Sequence, residues 1–340
     1  MRARAMLCPG LMLVLAALLG SCRMGGETSE VVVYTSVDQP YSEPILTAFE
    51  EQTGIRVRAV YDVEASKTTG LVNRLLAEAS HPQADVFWNS EVIQTIVLEE
   101  NQALSPYVSP EAEAIPPQFR DPDGHWTGLA GRARVLLVNT DRVSEPTRIA
   151  SLNDLLDPTW PGESIGIAYP LFGTTATHVA ALYAERGQDE ARAFFEQLQE
   201  RGVRVVDGNS VVRDLVASGQ LAIGLTDTDD ACAALAQGAP VQVILPDQDG
   251  GGTLIIPSTV ALVAGGPHPE QGRALIDYLL RPETEQALVL SGYCHVPLHA
   301  AVEAPPGCIP GSVRGMAVDY RQVEGFLGQV LSEMREVYLR

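Results

Sequence analysis

The stretch from Val31 to Glu91 sets strand–loop–helix units in tandem, and that arrangement commits the chain to an α/β architecture. Val31-Val32-Val33-Tyr34 is a β-branched run, and Pro40 to Thr53 then carries Ile45, Leu46 and Phe49 at helical spacing. Ile55 to Val60 predicts the next strand and Thr68 to Ala79 the helix after it. Ala84 to Trp88 predicts a third strand, ending on Asn89-Ser90-Glu91. The same alternation runs on through strands at 129–138, 165–168, 203–206, 221–225, 241–244 and 259–263. It predicts parallel-rich sheets with helices on both faces. In open α/β sheets ligands bind beyond the carboxyl ends of the strands. Three such ends carry Ser36 and Asp38, Glu64 and Lys67, and Asn89 and Glu91.

The chain has 340 residues, enough for two ordinary domains, and 46% apolar residues, enough to fill their cores. Its first residues read as a targeting segment: Arg2 and Arg4 precede an apolar run from Leu11 to Leu19, closed by Leu19-Gly20-Ser21-Cys22. That run is too short to span a bilayer, and small residues precede the cysteine as at a cleavage site. Leu-Gly-Ser-Cys resembles the lipobox of bacterial lipoproteins, so Cys22 is expected to carry lipid, after a signal over 1–21 and before a tether over 22–30. Cleavage would remove two arginines and no acid, taking the net charge from −20 to −22. An acidic chain of this kind excludes nucleic acid as a partner, because phosphate contacts need a basic face. Cys294 and Cys308 are placed to pair across a loop, and Cys232, in an alanine-rich helical stretch, reads as a small buried hydrophobe.

Carboxylates and helix caps gather at the predicted strand ends. Asp38, Glu64, Glu91, Asp227 and Asp229 offer hard oxygens suited to Fe³⁺, Ca²⁺ or an ammonium group. Gly173, Thr174 and Thr175, and Asn209 with Ser210, open helices directly after strands, where unpaired N–H groups favour anions. A single such residue is usually only a cap. Several converging on one cleft suggest a metal with an anion, or a zwitterion such as an aminophosphonate, with Lys67 or Arg134 adding to the anion side. Gly162-Glu163-Ser164-Ile165-Gly166 matches a nucleophile elbow in letters only: a proline precedes it and a strand follows the serine. His295 and His299 have helical metal spacing, but Pro297 between them disfavours a helix.

The blocks Val-Val-Tyr-Thr-Ser, Ala-Phe-Glu-Glu-Gln-Thr-Gly-Ile-Arg-Val, Gln-Ala-Asp-Val-Phe-Trp-Asn-Ser-Glu, Gly131-Arg132-Ala133-Arg134-Val135 and Trp160-Pro161-Gly162 follow one another in an order that resembles the ferric-iron-binding branch of the extracytoplasmic solute-binding proteins. The resemblance implies a bilobal type II periplasmic-binding-protein fold with a hinge of crossing strands. It also implies an ABC importer permease as partner, a small ligand, a monomer, and no enzymatic activity or resident cofactor. The cargo it implies is Fe³⁺ with a synergistic anion. Glu91 falls at the family's iron-ligating glutamate, and Asp38 or Gln39 near its ligating histidine. Gly173, Thr174, Thr175 and Asn209 fall on its anion contacts. Its adjacent tyrosine pair should follow the strand ending at Leu225, where this chain has Thr228 and Asp229 instead, so Asp229 joins Glu91 and Asp38 as a candidate metal ligand. Lobe 1 is expected over 31–129 and 255–303, and lobe 2 over 130–254 and 304–340, on an extracytoplasmic, lipid-anchored protein. The alternatives are a binding protein for a zwitterionic or anionic solute such as an aminophosphonate or sugar phosphate, or, from another class, a secreted phosphate-ester hydrolase.

Overall fold

The computed structural model describes residues 29–62, 69–309 and 313–339. Cys22, Glu64 and Lys67 lie outside the described residues. β1 (Glu30–Thr35) pairs in parallel with β2 (Arg56–Tyr61) on one side and β3 (Val86–Asn89) on the other. Between β1 and β2 runs α1 (Gln39–Thr53), which has Pro40 in its first turn, where the missing N–H has no intrahelical partner to lose. Ile45, Leu46 and Phe49 bury its inner face, and Gly54 ends it at φ 71°, a left-handed turn that glycine adopts without strain. α2 (Thr69–Ala77) connects β2 to β3, and α3 (Ile93–Glu100) leads from β3 to the short β4 (Leu104–Ser105). The proline-rich stretch after Ser105 is anchored rather than loose: Ile115, Phe119 and Asp121 within it are buried.

β5 (Thr127–Asn139), thirteen residues long, belongs to both halves of the molecule. Its first part, Thr127 to Ala133, pairs antiparallel with β10 (Ile255–Val263), and β10 pairs antiparallel with β3. Its second part, Arg134 to Val138, pairs antiparallel with β8 (Ile223–Asp227). Beyond β8 lie β6 (Ile165–Ala168) and β7 (Arg204–Val206), both parallel, while β9 (Val241–Ile244) takes the other edge of β5. The continuous order is β2-β1-β3-β10-β5-β8-β6-β7. β5 is therefore the strand that runs through both sheets, while β10 pairs with β3, β4 and β5 within the first sheet.

Helices cover the second sheet: α4 (Gly173–Arg186), α5 (Gln188–Glu200), α6 (Asn209–Ala217) and α7 (Thr228–Ala236). α8 (Pro269–Leu279) and α9 (Pro282–Leu290) return to the first sheet. α10 (Tyr320–Tyr338) starts where Asp319 caps it, accepting from Arg321 N–H. It spans both halves. Arg321 near its start pairs with Glu99 and Asp121, and farther along Tyr183 donates to Glu333 at 2.6 Å and Tyr338 to the Phe195 carbonyl at 2.9 Å.

The cysteine expectation is corrected. Cys232 on α7 is bonded to Cys308, and Cys294 is free and buried. Cys294 is held away from Cys308 because its segment is laced to β5. Gly131 N–H donates to the Val296 carbonyl at 2.9 Å, and Val296 N–H returns to the Gly131 carbonyl at 3.1 Å. The chain after Glu303 instead crosses to α7. The disulfide closes a loop with a sequence separation of 76. Cys232→Ser should lower unfolding stability by about 2–4 kcal/mol relative to the oxidised parent. Cys294, whose thiol burial pushes far up, should resist alkylation until the chain unfolds. Peptide mapping without reductant checks the pairing: recovery of a Cys294–Cys308 peptide would reject it.

Candidate functional site

The carboxyl ends of β1 and β3 face α7 across a cleft of about 550 Å³. The first half of the molecule supplies Ser36, Asp38, Tyr41 and Ser90, and the segment after α9 supplies Tyr293 and His295. The second half supplies Arg213 from α6 and Asp229 and Asp230 from the first turn of α7. Arg132 rises between them from β5. It is the one residue of that strand that is not buried.

The first wall is set by short side chains. Ser36 Oγ donates to Asn89 Oδ1 at 2.6 Å and accepts from Ser90 N–H at 2.8 Å, fixing the ends of β1 and β3 together. Asn89 is spent inside the fold, donating to the Glu91 carbonyl and to Thr95. Glu91, expected at the cleft, is turned to the start of α3. Its two oxygens accept from Ile93 N–H at 2.7 Å and Gln94 N–H at 2.8 Å, and only 4% of the residue is exposed. Burial pushes its carboxyl up, against those two bonds. The expectation of a solvated cleft carboxylate at Glu91 is thereby corrected: the helix N-terminus captures it. Asp38 stays exposed on the rim, just before α1.

The expected anion contacts meet a different partner. Arg134 is fully buried and donates to Asp227 at 2.7 Å, Asn209 Oδ1 at 3.1 Å and Thr174 Oγ1 at 3.2 Å. Its other guanidinium nitrogens reach Thr175 Oγ1 and His178 Nδ1 at 3.4 Å. Thr174 and Asn209 donate in turn to the second Asp227 oxygen at 2.6 and 3.0 Å. Burial, and then the Arg134 charge, push the His178 pKa well down, so its neutral ring can accept. Thr174, Thr175, Asn209 and Asp227 thus solvate a buried arginine, and none of them lines the cleft. Gly173 opens α4 at φ 58°, a conformation that favours glycine.

Among the described residues the cleft cations are Arg132 and Arg213. Arg132 donates to the Ser90 carbonyl at 2.8 Å and to Asp229 at 3.4 Å, so one side chain touches both walls. Arg213 donates to Asp230 at 3.0 Å. Burial, then the Asp229 and Asp227 charges, push the Asp230 carboxyl up to about 7. One Asp229 oxygen and Arg132 Nε are buried without a hydrogen-bond partner. Sequence reading missed Arg132 as a site residue because it shares its strand parity with Arg134. The strand changes sheets between them, which leaves one arginine at the cleft and the other under α4.

Elsewhere Glu99, Asp121 and His125 come close enough to hold a cation, but the Arg321 guanidinium already sits on the two carboxylates. Ser164 precedes β6 and donates to the Pro161 carbonyl, as expected of a serine outside any elbow. His295 and His299 lie outside any helix.

A carboxyl with a folded-state pKa above its ordinary value holds a proton that the unfolded chain has already lost. Such a group makes stability fall as pH rises, here between about 4 and 7. Asp230→Asn removes that dependence. Its apo stability relative to the parent should rise by about 1–2 kcal/mol between about pH 5 and about pH 8, measured by urea unfolding. An equal difference at both pH values would show that Asp230 ionises as a solvated carboxylate.

A family model described as bacterial extracellular solute-binding protein matches residues 82–307. Iron uptake protein A1 of Synechocystis is 27% identical over 294 residues, covering 82% of this chain and 79% of its own. A Salmonella typhimurium protein provisionally named as a 2-aminoethylphosphonate-binding periplasmic protein is 28% identical over 255 residues, covering 73% of this chain and 71% of its own. The solved ferric binding protein of Campylobacter jejuni superposes with a TM-score of 0.80 at 22% identity, over 91% of this chain and 99% of that one, which establishes the type II periplasmic-binding-protein fold. With a cleft floored by Arg132 of the strand that runs through both sheets, the chain belongs to the family of bacterial extracellular solute-binding proteins.

Proposed function

We propose that the protein captures ferric iron with a partner anion in this cleft and hands both, chemically unchanged, to an ABC importer permease. One observation carries the reading: the cleft sets Asp229, Asp230 and Asp38 beside Arg132 and Arg213. Carboxylates are hard oxygen ligands for Fe³⁺, and guanidinium groups recognise a carboxylate or phosphate anion. The curated relatives named for iron uptake and Fe³⁺ binding support the same cargo. The lobes proposed are 31–129 with 255–303, and 130–254 with 304–340, closing on the cargo about β5 and β10 as a hinge. Among the described residues no helix is long and apolar enough to cross a membrane. A lipid on Cys22 is the proposed anchor of a monomer, with a signal over 1–21 and a tether over 22–30.

A second reading, a zwitterion such as an aminophosphonate, is favoured by the two residues at the start of α7. Where the resemblance implies two tyrosines, Thr228 is buried and accepts from Ala133 N–H at 3.1 Å, and Asp229 faces the cleft. Carboxylates beside arginines match an ammonium and a phosphonate as well as they match a metal and an anion.

Calorimetry with ferric citrate and, separately, with 2-aminoethylphosphonate tests both readings. Asp229→Ala and Arg132→Ala should each weaken the bound probe by about 2–5 kcal/mol, because each leaves a charge unpaired in the cleft. Variants that bind like the parent would remove the cleft as the site. A ferric complex should lack a strong tyrosinate charge-transfer band. A deeply coloured complex would put one of the two tyrosines that line the cleft, Tyr41 or Tyr293, on the metal. Turnover of a phosphate ester by the pure protein would overturn the binding-protein reading in favour of a hydrolase. For the anchor, Cys22→Ala should move the protein from the membrane fraction to the soluble one. A variant that still sediments with membranes would reject the lipid.

A further inference from the structure

We propose that His295 contacts the cationic part of the cargo, sharing it with Asp229 from the other wall. The inference rests on the cleft being the cargo site and adds to it a residue beyond the cleft carboxylates. Each of the other five histidines uses its Nδ1. His81 meets Ser80, His125 meets Asp121, His178 meets Arg134, His268 meets Asp85, and His299 accepts from Ala301 N–H. His295 alone leaves Nδ1 buried with no partner, in a residue 7% exposed that lines the cleft. Buried polar groups are nearly always hydrogen-bonded, and an orphan destabilises the fold that holds it. The Asp229 oxygen left without a partner is its counterpart on the opposite wall.

The ring is held in place rather than drifting there. The reciprocal bonds between Gly131 and Val296 fix the backbone directly beside it, and Cys294 Sγ lies 3.5 Å from the Gly131 carbonyl. A Cβ at position 131 would meet the Val296 carbonyl at 2.7 Å, so only glycine lets this segment lie so close to β5. That approach brings His295 to the floor next to Arg132. With its proton on Nε2, the ring offers the partnerless Nδ1 as a lone pair, and together with a carboxylate oxygen that suits a cation. A transition-metal ion and an ammonium group share that chemistry.

Four proteins separate the outcomes: parent, His295→Leu, His295→Gln and Asp229→Asn. Each is titrated calorimetrically with ferric citrate, 2-aminoethylphosphonate and inorganic phosphate, and the apo form of each is melted. His295→Leu should weaken the cation-bearing probe by roughly tenfold or more, while the apo melting temperature holds or rises because an orphaned group is gone. His295→Gln should retain most of the affinity for the ammonium probe, since an amide oxygen also accepts, but should lose ferric citrate as fully as leucine does. That difference tells metal from ammonium. Parental binding by His295→Leu, or a clear fall in its apo melting temperature, overturns the proposal. So does an equal loss of inorganic phosphate, which would place the ring on the anion side. If Asp229→Asn loses binding and His295→Leu does not, the cleft reading stands and this inference falls. If only His295→Leu loses binding, the ring's contact stands and the sharing with Asp229 is overturned.

Discussion

The buried pair of Arg134 and Asp227 is the interaction on which the rest of the molecule depends. Arg134 sits where β5 leaves one sheet for the other, and Asp227 ends β8, the strand it meets there. A lone guanidinium with no exposure would be prohibitively costly. Here one carboxylate, two threonines, an asparagine and a neutral histidine take up its donors. Those partners come from the starts of α4 and α6 and the end of β8. Satisfying one charge therefore fixes three strand-to-helix turns of the second half at once. It also sets the origin of α7, whose first turn carries Asp229 and Asp230 into the cleft.

Much of the fold was legible because burial follows periodicity. The β-branched run from Val31 became β1, the strands expected at 84–88 and 221–225 became β3 and β8, and the helical spacing of Ile45, Leu46 and Phe49 became the inner face of α1. The site was legible only as a region. Strand ends do mark the cleft, but chemical type did not say which polar residues the fold would consume. Glu91 and Thr174 look like ligands in sequence, yet backbone amides take the first and a buried arginine the second. Spacing could not pair Cys232 with Cys308 either, since that bond depends on where the chain after Glu303 crosses. Arg132 had the clearest overlooked signal. Two arginines two residues apart on one strand cannot both be buried without two sets of partners.

The net charge of −20 bears on the same point. In so acidic a chain, arginines at the cleft act against the surrounding field, and each is met by a carboxylate from the first turn of α7. Arg132 with Asp229 and Arg213 with Asp230 make a nearly neutral lining from charged groups. Such a lining presents both signs to a solute while leaving little uncompensated charge when empty. The raised Asp230 carboxyl shows the limit of that compensation: burial, and then the Asp229 and Asp227 charges, outweigh Arg213 and Arg132.

Arg132 also links binding to movement. It reaches Ser90 on the first wall at 2.8 Å and Asp229 on the second at only 3.4 Å, so its hold on the second wall is the weaker one. A ligand can shift a conformational equilibrium only by its differential affinity for the two states. A solute that took the Asp229 oxygen now without a partner, and offered an anionic group to Arg132, would replace that long contact with bonds to both walls at once. The gain exists only when the walls are close. In the proposed closure, the loosely paired floor makes the gain depend on cargo, whereas a tighter Arg132–Asp229 pair would favour the closed form without any.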